Sequence, residues 1–220
     1  MNNLLRFKKD QIYLSYDYET CNLALIPGEN SPNIPWQLGW QVYEGKKLIE
    51  SHEDWIWWDD LESKMGRDAA AITGFDIDIY KKKATDPLPI FERFSKILYN
   101  PEVVNVGANI INFDIYIFNI LARRLGKKTD WSFTNRSLDI QIIEKAKILG
   151  QKLPPIGTDD WFFSNMKLAQ YHQRGLKTNL AHLCKMYGVE YNEFRHHKES
   201  SYDTGLAFEV LQQQIQQIDI

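Results

Sequence analysis

The segment from Ile12 to Thr20 reads Ile-Tyr-Leu-Ser-Tyr-Asp-Tyr-Glu-Thr, and its β-forming residues predict a strand. Because side chains alternate between the two faces of a strand, Asp17 and Glu19 lie on the same face. Two residues of rise separate their carboxylates by roughly 7 Å. Like charges at this separation are costly unless a cation lies beside them, and a hard divalent cation is the usual partner. The alternative is that the end of the strand reaches water and both acids are solvated, and this segment alone does not decide between the two.

The composition is that of an ordinary globular domain. The chain has 220 residues, of which 44% are hydrophobic and 25% charged, enough to bury a core without disulfides. The only two cysteines, Cys21 and Cys184, have no metal-binding spacing, which favours a reducing, cytoplasmic setting. No apolar run reaches the length of a membrane span, and the first residues lack the apolar core of a signal peptide. The net charge of −3 argues against a large basic surface, but it is compatible with an enzyme that holds a few nucleotides through a bound cation.

The predicted elements form a mixed sheet covered by helices. Residues 36–43 and 48–58 flank a Gly-Lys-Lys turn and predict a hairpin after the first strand. Residues 103–106 are typical of a short buried strand, and residues 150–175 are predicted as an irregular loop. Helices are predicted at residues 59–71, 87–99, 113–125, 137–149, 178–187 and 202–218. This order indicates a single α/β domain spanning residues 1–220, in which three antiparallel strands are followed by parallel strands and the mixed sheet is flanked by helices.

A second acidic position follows the short buried strand. Asp114 falls in the opening turn of an otherwise apolar helix, after a Gly-Ala-Asn turn. Acids are favoured at helix starts by the helix dipole and by free backbone N–H groups. One interpretation is therefore that Asp114 only stabilises the start of this helix. Its neighbours Ile110, Ile111, Phe113 and Ile115 are apolar, however, and an acid in such surroundings usually has a partner.

A third acidic position lies near the end of the chain. Asp203 opens the last helix, which has an apolar stripe, and it follows a polar segment that contains His196 and His197. Taken alone, this pattern is typical of a helix cap behind a solvated loop.

The three acidic stretches occur in a fixed order along the chain. Their key residues are Asp17-Tyr18-Glu19, then Asn109 with Phe113-Asp114, then His197 with Asp203. In this order they resemble the motifs of the DEDD (DnaQ-like) superfamily of 3′–5′ exonucleases, which has the ribonuclease-H-like fold. Residues 137–139 and 176–191 are similar to further segments of that superfamily, and the resemblance covers the chain from residue 12 to about residue 211.

The resemblance implies an activity, a set of cofactors and a set of contacts. It implies hydrolysis of phosphodiester bonds from the 3′ end of single-stranded DNA, with two divalent cations, Mg²⁺ or Mn²⁺, roughly 3.5–4 Å apart. Carboxylates suit these hard cations. The implied metal ligands are Asp17, Glu19, Asp114 and Asp203. The positions implied to contact the nucleic acid are Thr20, Leu23, Asn109 and Phe113. An exoribonuclease of the same fold and a non-catalytic nucleic-acid-binding module are the alternatives.

The general base is the point at which the chain departs from the superfamily pattern. The superfamily places its histidine five positions before the last aspartate, where this chain has Lys198. His197 stands six positions before Asp203, in a loop ahead of the helix that could absorb one inserted residue without moving the ring far. A neutral histidine near its ordinary pKa can accept the proton of the attacking water. We therefore expect His197 to be the catalytic base, with His196 and the absence of any such histidine as alternatives.

Overall fold

Strand β1 (Ile12–Thr20) lies at the centre of a five-stranded mixed sheet. The computed structural model describes residues 7–25, 33–192 and 199–218. The other strands are β2 (Pro35–Glu44), β3 (Lys47–Trp55), β4 (Val103–Gly107) and β5 (Ser137–Asp139), in the spatial order β3-β2-β1-β4-β5. β1 is antiparallel to β2 and parallel to β4, and β4 is parallel to β5. The predicted α/β sheet, with three antiparallel strands followed by parallel ones, is confirmed.

Nine α-helices occur within the described residues. They are α1 (Leu61–Lys64), α2 (Arg67–Thr73), α3 (Ile77–Lys83), α4 (Pro87–Leu98), α5 (Asp114–Arg124), α6 (Ile140–Ile148), α7 (Asp159–Ala169), α8 (Leu180–Tyr187) and α9 (Ser200–Ile218). A 3₁₀ helix spans Ser132–Arg136. None of the described helices is long and apolar enough to cross a membrane.

The helices form two layers against the sheet. On one face, apolar side chains of α4 and α5 pack against Leu14, Tyr16 and Tyr18 of β1. On the other face, α8 and α9 pack in a cluster that includes Tyr13 of β1. Asp17 and Glu19 share the face of Tyr13, where the alternation of β1 places them, at the end of the strand.

Two helices differ from the sequence-based expectation because of local breaks. The helix expected at residues 59–71 is divided into α1 and α2, since Gly66 has an extended backbone between them. The helix expected at residues 137–149 begins only at Ile140, because Ser137–Asp139 pairs with β4 as a strand. α3 was not expected from the sequence, and its start is capped by Asp76, whose side chain accepts from two backbone N–H groups.

The segment 150–175, expected to be an irregular loop, contains α7 at Asp159–Ala169. The side chain of Thr158 caps this helix by accepting from the N–H of Trp161. Trp161 is buried, and its indole N–H donates to the carbonyl of Ser137 at 3.0 Å. The cap at Thr158 is a local signal of a helix start that the sequence-based expectation overlooked, whereas the contact between Trp161 and Ser137 has no signature in the local sequence.

Candidate functional site

The end of β1 extends beyond its parallel neighbour. The ladder between β1 and β4 runs from Ile12 to Ser15 on β1, so the following residues of β1 have no partner in β4. In this stretch the backbone N–H of Tyr18 donates to Oδ1 of Asp114 at 2.9 Å. The carboxylate of Asp114 therefore occupies the place of a strand partner, directly beside the residue that separates Asp17 from Glu19.

The turn between β4 and α5 is built to deliver Asp114 to β1. Asn109 adopts a left-handed backbone with φ of 67°, a conformation that asparagine tolerates better than most residues. The buried carboxylate of Asp139 accepts from the backbone N–H groups of Asn109 and Ile111 at 3.1 and 3.2 Å. Asp139 thus satisfies the backbone of the turn and holds its shape.

The first turn of α9 is held against β1 by hydrogen bonds. The buried hydroxyl of Ser15 donates to the carbonyl of Thr204 at 2.7 Å. The hydroxyl of Ser201 donates to the carboxylate of Glu53 on β3 at 3.0 Å. These bonds fix Asp203, which lies between Ser201 and Thr204, over the sheet.

A glycine on β2 allows this close approach of α9. Gly39 pairs with Asp17 in the antiparallel ladder. A Cβ atom at Gly39 would lie 2.3 Å from the carbonyl carbon of Ser200, which is far inside a van der Waals contact. The absence of a side chain at Gly39 therefore lets the helix start that carries Asp203 reach the strand that carries Asp17.

These elements enclose a cavity of about 200 Å³. Its lining consists of Asp17, Tyr18, Glu19, Ile72, Ala108, Asn109, Phe113, Asp114 and Asp203. All four acids singled out by the sequence line this one cavity, together with Asn109 and Phe113. Ile72 on α2 was not predicted as a site residue. The local sequence of a helix does not show that one of its apolar residues will face a site formed by other elements.

Thr20 and Leu23, the other two positions implied to contact the nucleic acid, do not line the cavity. Thr20 is only 4% exposed, and its hydroxyl donates to the carbonyl of Asn22 and accepts from the amide of Asn33. Leu23 is 56% exposed and is not among the residues that line the cavity. His197, expected as the base, and its alternative His196 lie outside the described residues.

The electrostatics of the cavity favour a cation. Burial raises the pKa of Asp17 well above its usual range, and the negative charges of Asp114, Glu19 and Asp203 raise it further. Burial also raises the pKa of Asp114 to about 7, against the opposing effect of the hydrogen bond from Tyr18. Without a cation the cluster therefore retains protons, and a divalent ion would relieve the repulsion.

The carboxylate oxygens in the cavity suit a hard cation, but in the part of the chain that the structure describes their present arrangement does not form a complete metal site. Mg²⁺ and Mn²⁺ prefer oxygen ligands, and every acid in this cavity offers carboxylate oxygens. Among the described residues, no three His, Cys, Asp or Glu side chains are arranged so that they could hold a metal ion as they stand.

The fold is similar to that of exonuclease I. One exonuclease I structure superimposes with a TM-score of 0.68 and 18% identity, over 92% of this chain and 40% of that one. The apo form of exonuclease I gives 0.67 and 17%, over 93% of this chain and 42% of that one. The chain has the ribonuclease-H-like fold of exonuclease I. No family model matches the chain, and no curated protein matches it significantly.

The exonuclease I structures are of a larger protein and include several complexes. The chain spans about two fifths of the length of those proteins. E. coli exonuclease I in complex with a dT13 oligonucleotide matches with a TM-score of 0.64 and 16% identity, over 93% of this chain and 40% of that one. Other matching structures are a zinc-bound form with single-stranded DNA and a complex with the C terminus of SSB. At these identities the likeness establishes the fold.

Proposed function

We propose that this chain is a metal-dependent 3′–5′ exonuclease that acts on single-stranded DNA with two divalent cations, Mg²⁺ or Mn²⁺. The observation that carries the proposal is the convergence of Asp17, Glu19, Asp114 and Asp203 on one cavity at the end of β1. The exonuclease I fold supports it, because matching structures of that protein contain single-stranded DNA and, in one case, zinc.

The residues of the cavity divide into two groups by chemistry. Asp17, Glu19, Asp114 and Asp203 would hold the cations, which when bound position the attacking water and stabilise the leaving oxygen. Phe113 and Ile72 offer apolar surface on the same cavity, suited to the sugar and base of the terminal nucleotide. Asn109 offers an amide that can both donate and accept hydrogen bonds.

Hydrolysis requires one proton acceptor beside the acids. Water attacks the terminal phosphorus, the bond from phosphorus to the 3′ oxygen of the preceding nucleotide breaks, and a 5′-mononucleotide leaves. His197, which stands six residues before Asp203 where the superfamily pattern has five, would accept the proton of the water, and the departing 3′ oxygen takes up a proton.

A non-catalytic nucleic-acid-binding module is the second candidate. One observation favours it, namely that Lys198 stands where the superfamily pattern has its histidine. The retention of all four acids around the cavity favours the enzyme.

The test is a degradation assay on a single-stranded oligonucleotide labelled at its 5′ end. With Mn²⁺ or Mg²⁺ we expect a ladder of products shortened from the 3′ end, and none with EDTA. A circular single strand is the control for internal cleavage and should stay intact. An RNA of the same sequence reports the contribution of the 2′-hydroxyl groups. Binding of the oligonucleotide without cleavage at every pH tested would overturn the proposal and favour the second candidate.

A further inference from the structure

The side chain of Asn33 is fully buried at the point where β1 and β2 separate. Its oxygen accepts from the backbone N–H of Asn22 at 3.0 Å and from the thiol of Cys21 at 3.3 Å. Its amide nitrogen donates to the hydroxyl of Thr20 at 3.0 Å and to the carbonyl of Asn22 at 2.6 Å. One side chain therefore binds three consecutive residues that leave the strand of the first motif.

An amide is suited to this position because it donates and accepts at once. The register of the ladder shifts between Glu19 and Thr20, so the regular pairing of β1 with β2 is interrupted there. Asn33 meets both the N–H and the carbonyl of Asn22, as a neighbouring strand would. Neither a carboxylate nor an apolar side chain of the same size can do both.

The segment that Asn33 holds is also the contact with the helices α1 and α2. The amide of Asn22 donates to the carbonyl of Lys64 at 3.3 Å, and the backbone N–H of Gly66 donates to the carbonyl of Cys21 at 2.8 Å. Gly66 immediately precedes α2, whose residue Ile72 lines the acidic cavity. The position of Ile72 therefore depends on the segment that Asn33 binds.

The segment that Asn33 binds is followed directly by an exposed apolar side chain, that of Leu23. Leu23 follows Asn22 directly and is 56% exposed, and Ile72 is 48% exposed. Ile72 lines the acidic cavity and Leu23 is exposed outside its lining, and the flat faces of nucleotide bases pack against apolar surface of this kind. Within the described part of the chain, none of the hydrogen bonds of the Asn33 side chain involves an acid of the cavity.

We propose that Asn33 is a positioning residue for the nucleic-acid strand, an inference that rests on the proposed exonuclease function. It fixes Asn22 and thereby places Leu23 and Ile72, the two apolar contacts for the terminal nucleotides. It takes no part in breaking the bond. Its loss should therefore impair the use of a nucleic-acid strand much more than the hydrolysis of a small phosphodiester.

The test compares two substrates in two buried-amide variants. The substrates are a single-stranded oligothymidylate and the p-nitrophenyl ester of thymidine 5′-monophosphate, which contains one nucleotide and a chromogenic leaving group. The variants are Asn33→Ser and, as the matched control, Asn165→Ser on α7. Asn165 is also fully buried, and its amide donates to the carbonyl of Trp161.

For Asn33→Ser we expect the KM for the oligothymidylate to rise by about tenfold to a hundredfold, the equivalent of losing about 1.4 to 2.8 kcal/mol of contact with the strand. The kcat/KM for the ester should change much less. In Asn165→Ser the two substrates should be affected alike. Equal losses on both substrates in Asn33→Ser, or an unchanged KM for the oligothymidylate, would overturn the inference.

Asn22→Ala keeps the experiment informative if Asn33→Ser does not fold. It removes the bond to Lys64 at a side chain that is only half buried, and the same selective rise in KM is expected. An unchanged KM in this variant contradicts the proposed route. The wild-type protein separates the two hypotheses: failure to cleave either substrate refutes the exonuclease function itself, and the inference with it.

Discussion

The backbone N–H of Tyr18 donates a hydrogen bond to Oδ1 of Asp114 at 2.9 Å. This bond joins two motifs that are 96 residues apart in the chain. It places a buried carboxylate beside Asp17 and Glu19, at the part of the β1 edge that does not pair with β4.

The first prediction concerns the charge of Asp114. In Asp114→Asn the side-chain oxygen can still accept from Tyr18, so the fold should be retained while the negative charge is lost. We expect metal-dependent hydrolysis to fall by about a hundredfold or more, since cations contribute several kcal/mol of charge stabilisation. The measurements are single-turnover degradation and circular dichroism. Asp160→Asn, at an exposed acid in the first turn of α7, is the matched control and should be fully active.

The second prediction concerns stability, pH and metal. The pKa of Asp114 is raised to about 7, whereas an unfolded aspartate titrates near 3.9. The folded state therefore binds more protons between these values, and without metal the free energy of unfolding should fall as the pH rises from about 4 to about 7. Urea unfolding in EDTA at a series of pH values measures this. Asp114→Asn should reduce the dependence without abolishing it, because burial also raises the pKa of Asp139 to about 6, and an identical pH profile in this variant would contradict the interpretation.

Metal should oppose this loss of stability. Because carboxylates must be deprotonated to bind a cation, the rise in Tm on adding Mn²⁺ should be larger at about pH 8 than at about pH 5. Differential scanning fluorimetry with and without Mn²⁺ gives the comparison. The same rise at both pH values, or none, would argue against a metal site among these acids.

The sequence was sufficient to predict the parts of the site that depend on local patterns of residues. The alternation of β1 placed Asp17 and Glu19 on one face, and the order of the motifs brought Asp114 and Asp203 into consideration. The assignment of these residues as metal ligands stays a prediction, because what the structure shows is their common cavity.

The sequence was insufficient to predict features that depend on contacts between residues far apart in the chain. Ile72 reaches the cavity only because α2 packs against the segment after β1, and α7 is anchored by the bond from Trp161 to Ser137. The role of Asn33 depends on partners eleven to thirteen residues away across a loop. Neither hydrophobic periodicity nor turn residues encode such contacts.

The third prediction concerns the approach of α9 to the sheet. In Gly39→Ala the new Cβ would meet the backbone of Ser200 at 2.3 Å, so α9 must move. We expect a loss of about 1–3 kcal/mol in the free energy of unfolding, as for overpacking, and reduced hydrolysis because Asp203 moves with the helix. Urea unfolding and the degradation assay measure the two effects.

Gly205→Ala is the matched control for this substitution. Gly205 lies in the same helix, and its Cβ would meet the ends of the Gln41 and Tyr43 side chains, at 3.3 and 3.9 Å. Alanine is favoured over glycine inside a helix by about 0.5–1 kcal/mol, so this variant should be as stable as the wild type or slightly more stable. If Gly39→Ala behaves like Gly205→Ala, the close approach does not matter for the site.

The fourth prediction identifies the general base. His197→Ala should lower kcat by about 10²–10⁴-fold, as the loss of a general base usually does, without changing oligonucleotide binding. The adjacent His196→Ala is the control and should keep nearly full activity. The pH dependence of kcat, measured for both variants, should lose its acidic limb only in His197→Ala. The reverse pattern would move the role to His196, and normal rates in both variants would exclude either histidine.

The fifth prediction concerns the apolar wall of the cavity. Ile72 lines the cavity although 48% of its side chain is exposed, so truncating it removes little buried surface. Ile72→Ala should therefore leave the Tm nearly unchanged. If the wall contacts the terminal base, the KM for an oligothymidylate should rise by about fivefold to a hundredfold, the equivalent of roughly 1–3 kcal/mol of apolar surface no longer buried against the base.

Ile79 provides the matched control for this wall. It is a similarly exposed isoleucine, 42% accessible, on the neighbouring helix α3, and it is not among the cavity residues. Ile79→Ala should leave both stability and KM unchanged, so a rise in KM shared by the two variants would indicate a general loss of apolar surface. A rise confined to Ile72→Ala shows that the terminal base lies against α2, and an unchanged KM in that variant shows that Ile72 contributes nothing to binding of the base.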